Sequence, residues 1–327
     1  MKAVTAQQPG NAEVLNVVEI EQPQLADGEI KIKVKAFGLN KAESYYRSGN
    51  YGTFVPGQAL GIEAVGEVVE DPSGQFVVGQ KVATVMGGMM FARHGGYAEY
   101  ICVNASNVVA LDSQLSDAEL ASLPEVYLTV WGALDKNLSI QAGETLLIRG
   151  ATSGLGMAAL TYAKARGLSV IATTRNSESV ARLRDLGADH VVIDNGDISE
   201  QVRALYPAGV DKCLEVVGAA TVKDSMKAIS PWGQVTVVGL LGGAPVIENF
   251  NLMGDLPNTI KLSFFSSGML GTDAMPLNES PLNWVAQQIA AGTIPSIIAS
   301  EFKVDDIVEA HQLLDSNKAG GKIVVSF

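Results

Sequence analysis

Cysteine and histidine are scarce in this 327-residue chain. Cys102 and Cys213 are the only cysteines, so there is no disulfide framework and no four-cysteine zinc lobe. His94, His190 and His311 lie in unrelated segments. They read as surface or supporting residues rather than metal ligands, although His94 stands in a glycine-rich hairpin. Basic residues are outnumbered: 23 Lys and Arg face 35 Asp and Glu, a net charge of −12. That balance argues against nucleic acid or an anionic membrane as the main partner. A locally positive site can still hold an anionic cofactor. No stretch reaches the roughly 18 apolar residues of a membrane span. The opening MKAVTAQQPGN turns polar at once and has no apolar signal core. A cytoplasmic, reducing setting and a small-molecule partner are therefore expected. Aromatics make up 6% of the chain against 47% hydrophobic residues, which suits an α/β enzyme with a buried parallel sheet.

The length allows two domains with substantial cores. Residues 1 to about 115 read as β-rich. Short apolar runs such as Ile30–Ala36, Glu63–Val69 and Lys81–Val85 alternate with turns of glycine, proline and aspartate, the material of a barrel or sandwich. Ser116 and Glu119 have the spacing of a capping box, and the pattern then turns helical toward Leu134. From Thr145, strands are predicted at Thr145–Arg149, Ser169–Thr173, His190–Ile193, Lys212–Val216, Gln234–Val238 and Thr259–Phe264. Helices are predicted between them at Leu155–Arg166, Glu178–Leu186, Ile198–Leu205 and Thr221–Ile229. This alternation implies a doubly wound parallel sheet. Helices at Asn278–Ala291 and Val304–Asp315 follow, the second capped by Asp305. A last strand, Lys322–Phe327, returns to the β-rich part.

The most informative stretch is TLLIRGATSGLG, Thr145 to Gly156. A strand enters a turn spaced by Gly150, Gly154 and Gly156, and a helix follows. Glycines let the backbone turn sharply and approach a ligand. The helix start offers free N–H groups and the positive end of its dipole to an anion. This is the form of a dinucleotide pyrophosphate site. Gly154, Leu155 and Gly156 are expected to donate backbone N–H groups, with Thr152 and Ser153 adding hydroxyls. Val217 and Gly218 after the fourth strand, and Gly239 after the fifth, are expected to face the cofactor. Phe265, Ser266 and Ser267 follow the sixth strand, either beside the nicotinamide or as a plain strand-to-loop transition.

Several short motifs occur in order along nearly the whole chain. They are Gly38-Leu39-Asn40-x-x-Glu43-x-Tyr45-x-Arg47-x-Gly49, Gly61-Ile62-Glu63-x-x-Gly66 and Gly95-Gly96-Tyr97-Ala98-Glu99-Tyr100. Leu128-Thr129-Val130, the glycine turn, Leu186-Gly187-Ala188-Asp189 and Gly321-Lys322-Ile323-Val324 follow. Together they resemble the medium-chain dehydrogenase/reductase superfamily, in its zinc-independent quinone oxidoreductase branch. The resemblance implies a GroES-like split β-barrel catalytic domain with an inserted Rossmann domain. The expected boundaries are 1–120 with 266–327 for the first and 121–265 for the second. It also implies a catalytic cleft between them and a homodimer. Short-chain dehydrogenases carry a similar glycine motif but need Tyr-x-x-x-Lys downstream. Tyr162 and Lys164 are only two apart, and every other tyrosine fails the test too.

Zinc-dependent relatives place a cysteine where this chain has Asn40 and a histidine where it has Ile62, with Glu125 near a third ligand position. Asparagine and isoleucine do not supply those ligands, so no metal is expected. Without a Lewis acid on the substrate oxygen, the acceptor must spread negative charge itself, as quinones and α,β-unsaturated carbonyls do. An NAD site usually carries an acid about 20 residues past the glycine motif. Here the second strand ends in Thr174-Arg175-Asn176. Arg175 could pair with a 2′-phosphate, with Thr174 adding a hydroxyl, unless it is an ordinary loop arginine. NADPH is therefore the expected cofactor.

The resemblance further places Thr129, Gly321 and Lys322 beside the cofactor, and Asn40 and Tyr45 in the substrate pocket as catalytic groups. An amide and a phenol there could hydrogen-bond an oxygen as charge develops; the alternative for Tyr45 and Tyr46 is packing. Glu43 and Arg47 read as a structural ion pair. Met86, Met89, Met90 and Phe91 form either a flexible apolar wall or a mobile hairpin. The expected activity is reduction of quinones or enones by hydride transfer. The alternatives are a 2-alkenal or enoyl-thioester reductase, or a non-catalytic NADPH sensor.

Overall fold

The computed structural model describes residues 1–327. The chain forms two compact units, one from 1–128, 267–292 and 296–327, the other from 129–266 with 293–295. The boundary expected at residue 120 comes too early. The helix that crosses it starts in the first unit, where the Glu125 N–H donates to the Glu63 carboxylate at 2.7 Å.

In the first unit, β1 (Lys2–Thr5) and β2 (Asn16–Glu19) make an antiparallel ribbon. A larger sheet takes β3 (Glu29–Gly38), β4 (Glu63–Glu70), β5 (Lys81–Val85), β6 (Tyr100–Asn104) and β7 (Val108–Ala110). Strand β3 alternates Ile30, Ile32 and Val34, all buried, with Lys31, Lys33 and Lys35, the period of a sheet with one wet face. Helix α1 (Lys41–Arg47) follows β3 directly. Helix α2 (Asp117–Ala121) has the expected capping box: the Glu119 N–H donates to Ser116 Oγ at 3.2 Å, and the Ser116 N–H to Glu119 Oε2 at 2.8 Å. Helix α3 (Pro124–Trp131) leads onward.

The second unit alternates β8 (Thr145–Arg149), α4 (Gly154–Ala165), β9 (Ser169–Thr174), α5 (Val180–Asp185), β10 (His190–Ile193) and α6 (Ser199–Leu205). It continues through β11 (Val210–Glu215), α7 (Val222–Lys227), β12 (Ile229–Val237), α8 (Leu252–Asp255) and β13 (Lys261–Phe264). All its strand pairs are parallel, in the order β10-β9-β8-β11-β12-β13. This is the Rossmann order, with its reversal between β8 and β11, where a dinucleotide binds outside the carboxyl ends of the strands. Every residue of β8 is buried, as a strand covered on both faces requires.

The chain then returns to the first unit with α9 (Leu282–Ala290), β14 (Ile298–Lys303), α10 (Ile307–Asp315) and β15 (Lys322–Ser326). Strand β15 lies antiparallel to β3, with Val324 opposite Gly38, and parallel to β14. The sequence did not announce β14. It is an edge strand whose residues are alternately half-buried and exposed, and Ser300, Glu301 and Lys303 mask its pattern. Asp305 does not cap α10. Residues Val304–Asp306 form a separate helical turn, no side chain caps the helix, and the Asp305 carboxylate faces Lys2 Nζ at 3.6 Å.

Gly156 fixes how closely α4 approaches the glycine turn. A Cβ there would lie 2.4 Å from the Gly150 carbonyl oxygen and 2.7 Å from Ala151 Cα, both backbone atoms with little room to yield. Alanine gains about 1 kcal/mol of helix propensity, but the overpacking outweighs it. Gly156→Ala is expected to lower stability by about 1–3 kcal/mol, read as a reduced midpoint in urea; an unchanged midpoint would show that the turn can relax.

Candidate active site

In the second unit the glycine turn opens with Gly150 at φ 88; its N–H donates to Thr173 Oγ1 at 3.1 Å. Ser153 caps α4: its Oγ accepts from the Gly156 N–H at 3.0 Å and donates to the Gly150 carbonyl at 2.9 Å. The Ser153 hydroxyl and the Gly156 N–H, expected at a pyrophosphate, thus have protein partners within the turn. The N–H groups of Gly154 and Leu155 and the Thr152 hydroxyl keep no protein acceptor. They lie at the start of a 12-residue helix, the kind of terminus that suits an anion.

Other expected cofactor residues are placed differently from one another. Arg175 is exposed just past β9 and no acid pairs with it. Thr174 is buried, and its hydroxyl closes a local turn with the Asn176 backbone at 3.1 Å in both directions. Asn176 holds Glu178, whose N–H donates to Asn176 Oδ1 at 3.0 Å. The N–H groups of Val217 and Gly218 both donate to Glu215 Oε1, at 2.9 and 3.0 Å. Gly218 and Gly239 keep two strand ends together: a Cβ on Gly218 would meet the Gly239 carbonyl oxygen at 2.7 Å, and one on Gly239 the Val216 carbonyl oxygen at 2.3 Å. Phe265 is buried, its ring filling the space where Gly132 lacks a side chain. Thr129 is buried and Ser266 is exposed.

Two buried charged residues at the ends of β8 and β11 were not singled out in the sequence. Arg149 is buried at the end of β8 and grips Asp194 through Nε and Nη2, each at 2.9 Å. Glu215, its partner in the β8–β11 register, is also buried and accepts the Ser225 hydroxyl at 2.5 Å. Burial pushes the Glu215 carboxyl up, against the hydrogen bonds that favour its charge. The available signal was an arginine closing an otherwise apolar strand.

The first unit contains a second buried polar cluster. Lys322 Nζ donates to Glu63 Oε1 and to Asn40 Oδ1, both at 2.6 Å. Asn40 Nδ2 donates to Glu63 Oε1 at 2.8 Å and to Glu43 Oε1 at 3.2 Å. Both amide donors of Asn40 are therefore taken, and Asn40 stands at the N-cap of α1. The Asn40 N–H donates to Glu43 Oε2 at 2.7 Å. Lys322 is buried in its ion pair with Glu63. Gly321 allows close backbone packing, since a Cβ would meet the Ile297 carbonyl oxygen at 2.4 Å.

The Glu43–Arg47 pair is not formed. Arg47 instead binds Asp315 at 2.6 Å and His311 Nδ1 at 2.8 Å. His311 is held neutral, its pKa lowered to about 3 by burial and by the Arg47 charge. His94 Nδ1 accepts from the Ala59 N–H at 3.1 Å. Met89 and Met90 are fully buried in the core, not a mobile wall, while Met86 is half-buried and its Sδ lies 3.7 Å from Ser267 Oγ. The Tyr46 hydroxyl accepts from the Val55 N–H at 3.0 Å. Tyr45, next to it on α1, is half-buried and its hydroxyl has no protein partner; burial raises its pKa, so the phenol keeps its proton.

Glu43 carries a consequence for stability. Burial, offset by the Lys322 charge and reinforced by Glu63, raises its pKa from 4.5 to about 8. The folded protein then holds this proton to higher pH than the unfolded chain does. This group's contribution to stability is complete below about 4.5 and declines as pH rises toward 8. Glu43→Gln is expected to flatten that decline in urea unfolding between pH 5 and 8; superimposable profiles for the two proteins would show Glu43 ionised throughout.

Similarity to known proteins follows the same division. Residues 26–113 match the family described as alcohol dehydrogenase GroES-like domain, and residues 154–277 match zinc-binding dehydrogenase. A quinone oxidoreductase of Homo sapiens is 28% identical over 341 aligned residues, covering 99% of this chain and 97% of that protein. The crystal structure of an Escherichia coli quinone oxidoreductase complexed with NADPH superposes with a TM-score of 0.88 at 25% identity, covering 100% of both chains. A phenolphthiocerol/phthiocerol polyketide synthase of Mycobacterium tuberculosis is 28% identical over 98% of this chain but only 14% of its own length. The zinc named in the second family does not fit the residues present. No group of three His, Cys, Asp or Glu side chains is arranged to hold a metal, and the Lys322 ammonium already occupies Asn40 and Glu63. With a GroES-like first unit and a Rossmann second unit, the chain belongs to the medium-chain dehydrogenase/reductase superfamily of oxidoreductases, in its quinone oxidoreductase-like branch.

Proposed function

We propose that this protein is an NADPH-dependent reductase that, without zinc, passes hydride to a quinone or to the β-carbon of an α,β-unsaturated carbonyl. The observation that carries the reading is Arg175, exposed and unpaired at the end of β9, where an NAD site usually has an acid. Its guanidinium suits a 2′-phosphate through charge-assisted hydrogen bonds. Gly154 and Leu155 would hold the pyrophosphate through their free N–H groups. The nicotinamide, when bound, supplies the hydride.

On the substrate side, Tyr45 is the proposed donor. Its protonated, unpartnered phenol can hydrogen-bond the acceptor oxygen as negative charge builds there. Asn40 and Glu43 fix the start of α1 and so the place of Tyr45. The donor set offers no metal site to polarise that oxygen, which favours acceptors that delocalise charge by conjugation. The match within a polyketide synthase favours a second reading, an α,β-unsaturated thioester as substrate, since polyketide chains grow as thioesters. No helix is long and apolar enough to cross a membrane. The expected homodimer has a candidate face at the β13 edge of the sheet, where Phe264 is 61% exposed.

Steady-state NADPH oxidation over a panel of quinones, enones, alkenals and enoyl thioesters tests the activity. Saturable turnover supports the enzyme, and tight NADPH binding with no turnover on any of them would leave only a sensor. Arg175→Ala is expected to raise the KM for NADPH about tenfold or more and leave that for NADH nearly unchanged; equal effects on both would remove the 2′-phosphate assignment. Tyr45→Phe should reduce kcat about tenfold or more with the cofactor KM unaltered. Full activity in that variant would assign the proton to solvent.

A further inference from the structure

Arg149 is an unusual residue for its place, since it ends a strand inside a parallel sheet, one position before the glycine turn. All its donors are engaged. Besides Asp194, Nη1 reaches Asp224 at 2.9 Å, Ser225 Oγ at 3.1 Å and the Thr221 carbonyl at 3.0 Å, and Nη2 the Gly196 carbonyl at 2.7 Å. Asp194 is the first residue after β10. The β9–β10 register pairs Ile193 with Thr174, and the Asp194 N–H donates to the Thr174 carbonyl at 2.8 Å. The next pair along the two strands is therefore Asp194 and Arg175. Burial alone would raise the Asp194 carboxyl. Hydrogen bonds from Arg149 and the Gly196 N–H, together with the charges of Arg149 and Arg175, hold it below the ordinary range.

We propose that Arg149 sets the cofactor preference from inside the sheet: by clasping both Asp194 oxygens it keeps that carboxylate off Arg175, which stays free for a 2′-phosphate. The inference rests on the NADPH reading above. A released Asp194 would act against NADPH twice. It would pair with Arg175, and it would repel a phosphate brought to the same place. Asp194 would also stand at the end of a neighbouring strand as an acid able to accept a ribose hydroxyl, which favours NADH. Arg149 is thus a positioning residue that acts through Asp194 and Arg175.

The test is the ratio of dissociation constants for NADH and NADPH, measured by titration of the full-length protein. Lysine at 149 keeps the charge but cannot grip two Asp194 oxygens and Asp224 together. Arg149→Lys is expected to lower the preference for NADPH about fivefold or more, and adding Asp194→Asn to that variant should restore it to within about twofold of wild type. An unchanged ratio in Arg149→Lys, or a fall that Asp194→Asn does not rescue, would overturn the proposal. If Arg149→Lys does not fold, Asp194→Asn alone decides. Arg149 already neutralises Asp194, so the ratio should stay within about twofold, and a rise of about tenfold or more would show Asp194 already acting on Arg175. Arg175→Ala in the same titrations separates the two readings. If it weakens both cofactors alike, the 2′-phosphate reading falls and this inference with it. If it is selective while Arg149→Lys changes nothing, only the present inference falls.

Discussion

The first unit depends on one ion pair, between Lys322 and Glu63. Both groups are almost wholly removed from water, and desolvating two ions costs several kcal/mol each. Attraction alone repays this only when the remaining lone pairs and protons are also satisfied. Here Asn40 bonds both ions, and the Glu125 N–H takes the second oxygen of Glu63. The last strand, β4, the start of α1 and the start of α3 are thereby fastened at one point. Gly38 belongs to the same arrangement, because a Cβ there would lie 2.4 Å from Lys322 Cε and 2.5 Å from Glu63 Oε1. The second unit has a parallel solution in Arg149, which gathers the loops after β10 and β11.

This explains why the candidate site contains fewer free polar groups than its motifs suggest. Ser153, Gly156, Thr174, Val217 and Gly218 all sit around the glycine turn, yet their donors and acceptors are spent on holding it open. The helix start at Gly154 and Leu155, Thr152 and the Arg175 guanidinium keep donors without a protein acceptor. A pre-formed site of this kind loses little entropy on binding, because its loops are already fixed by buried hydrogen bonds.

Much of this was legible in the sequence. The Rossmann unit announced itself through continuous apolar strands and the glycine turn, and β3 through its strict alternation of lysine and branched residues. Strand β14 was hidden because an edge strand need not be apolar. The partners of Asn40 and Lys322 were not legible, because motif position says nothing about partners. Lys322 meets Glu63 across 259 residues, and Arg149 meets Asp224 across 75. Local patterns carry periodicity and turn chemistry, whereas the pairing of a buried charge is decided by topology. The placement of Arg175 was legible because its signal is local: a cation just past the end of a strand.

The Lys322 ammonium also bears on how metal-dependent and metal-free members of such a superfamily interconvert. Placing cysteine at Asn40 and histidine at Ile62 would not by itself open a metal site here, because a resident cation already neutralises Glu63. Lys322 would have to leave as the metal arrived. Removing Lys322 alone strands the Glu63 charge in the interior, typically at about 3–5 kcal/mol, a large share of a domain's stability. Exchange of the ammonium for a metal is thus a step that single substitutions cross poorly.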